Sequence, residues 1–285
     1  MIVRIVALAL LLMGLFFVFS FLLKTELLGP PGDAPERQWD GSEAYYLPAT
    51  PGQLPIIRQR YFTLAYDERH EQAAWVAYIL TREELERPWV ARSDWFEEDE
   101  RVPTGSATWY DYRGSGYDRG HLVPAADRAF SREAIEETFL MSNISPQKHH
   151  FNGGVWRELE ELTRRWAKRN QKLYVVSGPV LNRPGKERIG KNGVTVPVAF
   201  FKVLLDLSDP ELKGIAFLLP NEISDAPLAD YAVSIDSAEA YTGIDFFPEL
   251  MTPELEAELE AAFELEAWPF SPEKYQRRLR EWNRK

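Results

Sequence analysis

The residues best suited to chemistry fall in two short stretches. The first, Tyr117-Asp118-Arg119-Gly120-His121-Leu122-Val123-Pro124-Ala125-Ala126-Asp127, gathers a histidine, an arginine and two aspartates among small and apolar neighbours. The second runs from Met141 through Asn143, Gln147 and Asn152 to Trp156, Glu160 and Arg164. An imidazole titrates near neutrality and can take or give a proton, and a guanidinium pairs with phosphate or carboxylate oxygens. Asn152, Trp156, Glu160 and Arg164 are spaced at i, i+4, i+8 and i+12, a drift of only about 40° per step, so a helix over 152–169 would carry them as one stripe. Asn152 then opens the helix, where unpaired N–H groups favour an anion. Gly153 and Gly154 allow a ligand to come close.

Other signatures fail on their own residues. His70-Glu71 has Ala74 where a zinc-protease helix needs its second histidine. The Gly185-to-Lys191 segment approaches a phosphate loop, but Asn192 stands in the Ser/Thr position and the residues beyond read as strand. Gly114-Ser115-Gly116 reads as a turn, not a nucleophile elbow. The absence of cysteine excludes disulfides, thiolate metal sites and a cysteine nucleophile.

With DRGH at 118–121, SNISPQ at 142–147, Asn152 and WRELE at 156–160, the chain resembles the DNA/RNA non-specific endonucleases of the ββα-metal type. Weaker matches accompany these: an arginine segment at Arg92, then SGPVL, VPVAFFK, FLLPN and TGIDFF in the family's order. The resemblance covers roughly residues 60–248. It implies an α+β fold with a ββα-metal (His-Me finger) site and a central mixed or antiparallel sheet flanked by helices. It further implies His121 as general base. A single amide oxygen, that of Asn152, suits a hydrated magnesium ion, or manganese in its place, that completes its shell with phosphate oxygens. Arg119 is expected on a phosphate oxygen, with Arg92 and Arg164 as further phosphate contacts, and Glu160 as an acceptor beside the metal waters or an orienter of an arginine. Asn143 and Gln147 match family positions that shape the substrate site. Asp118 is expected to be a structural hydrogen-bonder, and His149 and His150 to be incidental. A non-catalytic, membrane-tethered nucleic-acid receptor on the same fold is the competing reading.

The elements that must position these residues form an α+β pattern. YFTLAYDERHEQAAWVAYIL reads as two strands and a polar turn, Ala107–Tyr112 as extended, and Ser131–Thr138 as a helix capped by Ser131. LYVVSGPVL, VTVPVAFFKVLLDL and GIAFLLP read as strands. Thr252–Ala267 reads as an acidic helix with a Thr cap and Pro at its first position. The basic end, KYQRRLREWNRK, is expected either to pair with that helix or to be solvated. The domain division is an N-terminal signal anchor over 1–23, a Pro/Gly-rich linker over 24–59, the nuclease domain over 60–250 and a helical extension over 251–285.

Ile5–Leu23 runs nineteen residues without a charge, about 28 Å of helix. It reads as an uncleaved anchor in preference to a cleaved signal, with the bulk of the chain outside the cytoplasm. The expected partners are DNA or RNA and the membrane, with a homodimer and a protein inhibitor allowed. The net charge of −11 gives no general attraction for polyanions, so phosphate binding must come from a local arginine groove.

Overall fold

The computed structural model describes residues 45–49, 52–92, 94–183, 185 and 187–284. The anchor read over Ile5–Leu23 lies outside the described residues. Among the described residues no helix is long and apolar enough to cross a membrane.

Seven strands form one antiparallel sheet: β1 (Ile56–Arg58), β2 (Thr63–Asp67), β3 (Gln72–Thr81), β6 (Lys172–Pro179), β9 (Ala199–Asp206), β10 (Lys213–Pro220) and β11 (Ala232–Val233), hydrogen-bonded in that order. The sheet is antiparallel throughout, so of the two expected forms the antiparallel one is found. Strand β1 falls within the stretch read as linker, and nearby Tyr46 is buried.

Helices on both faces explain why the central strands are apolar at nearly every position. Successive side chains point to opposite faces. Val175, Phe200, Leu204 and Phe217 therefore join a core with Leu159, Leu162 and Trp166 of helix α4 (Arg157–Asn170). Val176, Phe201, Val203 and Ala216 join the opposite core with α5 (Ile235–Thr242) and α6 (Pro253–Ala261). Each such Val, Leu or Phe side chain, fully buried, contributes roughly 1.5–3 kcal/mol. Lys202 is the one charged residue along β9 before its terminal aspartate, and it lies on the α4 side.

Helix α1 (Arg82–Glu86) follows β3, β7 (Arg188–Ile189) pairs antiparallel with β8 (Val194–Thr195), and a separate two-stranded antiparallel sheet carries the DRGH segment. Strand β4 (Asp118–His121) pairs with β5 (Ile144–Gln147), placing His121 opposite Ile144 and Gly120 opposite Ser145. Ser145 Oγ donates to Gln72 Oε1 at 2.6 Å, and Gln72 Nε2 donates to the Thr195 carbonyl at 2.7 Å, which ties the small sheet to the large one. Two strands followed by α4 make the ββα arrangement.

Three local expectations differ from the structure. Ala107–Tyr112 is not extended: Trp109–Tyr112 form a helical turn (α2), because Asp111 Oδ2 accepts both the Thr108 N–H and its hydroxyl. The acidic helix stops at Ala261, followed by a separate turn at Leu265–Ala267. The regular part of the central helix starts at Arg157; Phe151–Trp156 form a wider π-type turn, with Gly154 at φ −108° and ψ −109°. Helix α3 (Arg132–Glu137) forms as read, with the Ser131 hydroxyl accepting the Ala134 N–H at 3.1 Å.

The basic end pairs with α4, not with acidic α6. Within α7 (Pro272–Arg280), Lys274 bonds Glu161 and Arg278 Nε bonds Glu158 Oε2 at 2.7 Å. Arg278 is fully buried and also donates to the Ser224 and Ala226 carbonyls. Arg157 lies 4.3 Å over the Trp282 ring. The C-terminal segment thus braces the back of the helix that carries Asn152 and Glu160. Arg278→Met should lower unfolding free energy by about 3–5 kcal/mol, because Glu158 is left buried without its counter-ion. Urea denaturation checks this, and a loss below about 1 kcal/mol would show that the pair does not hold the segment.

Candidate active site

His121 stands at the end of β4, and Asn143 fixes the turn that follows it. Asn143 Oδ1 accepts the Val123 N–H at 2.9 Å, and its Nδ2 donates to the carbonyls of Val123 and Thr138 at 3.0 and 2.8 Å. The His121 ring packs edge-on against Phe139 at 4.8 Å and beside Phe96 at 5.7 Å. The ring keeps some exposure, but Nε2 is buried and has no hydrogen-bond partner. Burial, and then the charges of Arg92 and Arg119, push the imidazole down to about 3. It is therefore neutral at physiological pH, with Nε2 or Nδ1 carrying a free lone pair.

A cavity of about 330 Å³ is lined by His121, Asn152, Glu160, Arg92 and Arg119 together. Its neighbour, about 590 Å³, shares Arg92, Arg119 and Asn152 and continues past Asp118, Arg113 and Trp109. Two segments about thirty residues apart in sequence thus meet in one cleft, although the chain as a whole is acidic.

Asp118 sets the orientation of Asn152. Asn152 Nδ2 donates to Asp118 Oδ2 at 2.9 Å, and His149 Nδ1 lies 3.0 Å from the same oxygen. A carboxylate accepts and cannot donate, so the amide must offer its nitrogen there. That leaves the amide oxygen of this cavity-lining residue free to accept or to serve as a ligand. Asp118 is thus the hydrogen-bonder expected, whereas His149, expected to be incidental, contacts it directly. The π-type turn accounts for the geometry. It breaks the i+4 stripe, so Asn152 and Glu160 face the cleft while Trp156 is fully buried against Phe151 and Phe200.

Behind the cavity lies a charged cluster. Arg164 Nη1 pairs with Asp127 Oδ1 at 2.8 Å, and Tyr78 donates to Asp127 Oδ2 at 2.7 Å. Lys202 Nζ donates to Ser177 Oγ at 3.2 Å and sits 4.9 Å over the Trp156 ring. Burial pushes Glu160 up to about 7 against the opposing pull of Arg164 and Lys202. Burial likewise pushes the Lys202 ammonium down to about 8. A carboxyl near neutrality beside a neutral imidazole is the divergence expected of a site that moves protons.

Three of the expected substrate contacts lie elsewhere. Asn143 and Gln147 are fully buried and line neither cavity; Asn143 holds backbone and Gln147 fills space. Gln147 lies across Gly120, where any Cβ would fall inside its side chain, so DRGH needs glycine at its third position. Arg164 is turned back to Asp127 and acts on Glu160 from behind. Arg92 and Arg119 reach the cleft as expected, Arg119 lying 4.3 Å over the Phe96 ring.

Sequence reasoning missed Lys202 and Trp109, and singled out Asp127 without giving it a role. Lys202 carried a signal, a lone cation in an otherwise apolar strand. Trp109, stacked on Tyr110 at 3.8 Å and lining the wider cleft, was hidden by the misread α2.

For a divalent metal, the fit rests on the oriented Asn152 oxygen, the partnerless His121 nitrogen and the acidic Glu160 around one cavity. One neutral oxygen ligand on the protein suits magnesium, which keeps several waters.

The sequence model described as DNA/RNA non-specific endonuclease matches residues 41–252. Human mitochondrial endonuclease G is 36% identical over 214 residues, covering 70% of this chain and 72% of that protein. A nuclease from a Nostoc species is 35% identical over 225 residues, covering 74% of this chain and 79% of its own. Among solved structures, a chain of the EndoG/EndoGI complex, which addresses the mechanism of EndoG inhibition, aligns with TM-score 0.65 at 35% identity. That alignment covers 70% of this chain and 88% of the other.

Proposed function

The chain belongs to the DNA/RNA non-specific endonuclease family and is a nuclease, a hydrolase, and on that premise we propose that it cleaves phosphodiesters with His121 as general base and a magnesium ion held by Asn152. The observation that carries this reading is the single cavity shared by His121, Asn152, Glu160, Arg92 and Arg119.

A water attacks phosphorus in line with the leaving oxygen. As the new P–O bond forms and the old one breaks, the water's proton passes to His121, which is already neutral and able to receive it, and the leaving oxygen takes its proton from a solvent water. Arg119 and Arg92 pair with non-bridging phosphate oxygens and orient the diester. Asn152 and Glu160 would hold the ion and its waters, the first directly and the second through hydrogen bonds. When bound, magnesium supplies positive charge to the phosphate and the leaving oxygen. Asp118 keeps the Asn152 oxygen turned inward, and Arg164, anchored on Asp127, keeps Glu160 in place.

Nothing in this constellation reads a base edge, so backbone contacts in the arginine cleft support cleavage without sequence preference. Trp109 and Tyr110 offer a stacking platform for unpaired bases at the cleft mouth. Plasmid DNA and RNA should both be degraded by the purified chain in magnesium or manganese, and chelation with EDTA should abolish degradation. Digestion that survives EDTA, or binding without turnover in either metal, overturns the mechanism.

A further inference from the structure

A second cluster of ionisable groups lies apart from the cleft, where α5 meets α6. Asp236 and Glu239 come from α5, and Glu260 from the last turn of α6. One carboxylate oxygen of each lies within 4.8 Å of the other two. Glu260 is only 3% exposed, yet its Oε1 is buried with no hydrogen-bond partner. A buried carboxyl oxygen without a donor is costly, and its neighbours are acids. Glu239 uses one oxygen to accept the Phe246 N–H at 2.6 Å. Asp245 and Glu256 add their charges nearby, and the main influences on Glu239 and Glu260 include no cation. Burial first, and the surrounding carboxylates next, push Glu260 up to about 9 and Glu239 to about 7.

We propose that Asp236, Glu239 and Glu260 form a calcium site that staples α6, and with it the C-terminal segment, to the nuclease fold. The ligand set selects the ion. Three carboxylates from two helices converge with one oxygen each. Calcium takes several carboxylates in flexible geometry, whereas magnesium dehydrates reluctantly and is usually held by only one or two. Glu260 supplies the buried ligand and Asp236 the exposed one, leaving room for water to complete the shell.

The test is calorimetric calcium titration and thermal melting of the full chain carrying Asn152→Ala, which removes the proposed cleft ligand. Calcium at about 100 times its dissociation constant should raise Tm by about 5 °C. Asp236→Asn on the same background should weaken binding by tenfold or more. Glu260→Gln should abolish binding and melt in EDTA no lower than its parent, since it removes a buried like charge. Absence of a calcium response in Asn152→Ala overturns the proposal, as does a response unchanged by Glu260→Gln. Stabilisation of the parent by lowered pH with no calcium effect shows that the cluster takes a proton instead, and overturns it equally.

Discussion

His121→Ala is expected to lower kcat on plasmid DNA by about 10²–10⁴-fold, the usual contribution of a positioned general base. The ring is wedged between Phe139 and Phe96, and its buried Nε2 has no partner in the fold. Its loss therefore removes chemistry more than structure. Stability should respond with a definite sign. Because the folded imidazole is pushed down to about 3, the unfolded chain, with an ordinary value near 6.5, binds more protons between those limits. The neutral ring costs nothing at pH 7 and above. As pH falls from about 6.5 toward 3, it destabilises the fold progressively. His121→Ala should accordingly flatten the acid side of the stability curve, measured by urea unfolding at stepped pH. In wild type, the acid limb of kcat/KM belonging to this group should fall below 6.5. In the substrate complex a phosphate offsets Arg92 and Arg119, which moves that limb upward in kcat. Wild-type activity in His121→Ala removes the residue from the reaction; an unchanged acid stability curve denies that burial holds the ring neutral.

The parts of this site legible in the sequence were those that follow from short-range patterns. The spacing of DRGH, SNISPQ and Asn152 pointed to one centre, and runs of apolar residues pointed to strands. What stayed hidden depends on the third dimension. Asn143 and Gln147 were placed at the substrate site because they match family positions that shape it. Their burial reveals other duties: Asn143 closes three backbone bonds, and Gln147 fills the space Gly120 leaves open. The stripe through Trp156 assumed a regular helix, and no residue pattern announced the π-type turn that sends Trp156 inward and Asn152 outward. Arg164 carried the correct side chain for phosphate, but Asp127, distant in sequence, claims it first. The basic C-terminal end was expected either to pair with the acidic helix or to be solvated. Burial of Arg278 against Glu158 decides for the helix behind the site, a choice set by packing and not by net charge.

The pairing of Asp118 with Asn152 yields the other large expected effect, and two substitutions separate ligand from orienter. Asn152→Ala deletes the only oxygen that the 152 side chain can offer the ion, so activity should fall by about 10²–10³-fold, the usual loss for a group that stabilises transition-state charge. Added magnesium should not restore it. Asp118→Asn keeps Asn152 but changes what faces it. Where the carboxylate could only accept the 2.9 Å bond from Nδ2, the new amide can present its own nitrogen and draw the Asn152 oxygen away from the cavity. A partner that orients a metal ligand usually affects metal affinity by about 10–100-fold, so the magnesium concentration for half-maximal activity should rise within that range. Rate at saturating magnesium should stay near wild type, because the ligand atom is still present. The magnesium dependence of initial cleavage rates distinguishes the two variants. Equal loss in both, insensitive to magnesium, would mean that Asp118 acts on the substrate and not through Asn152. An unchanged half-saturation in Asp118→Asn would show that the amide finds its orientation without the carboxylate.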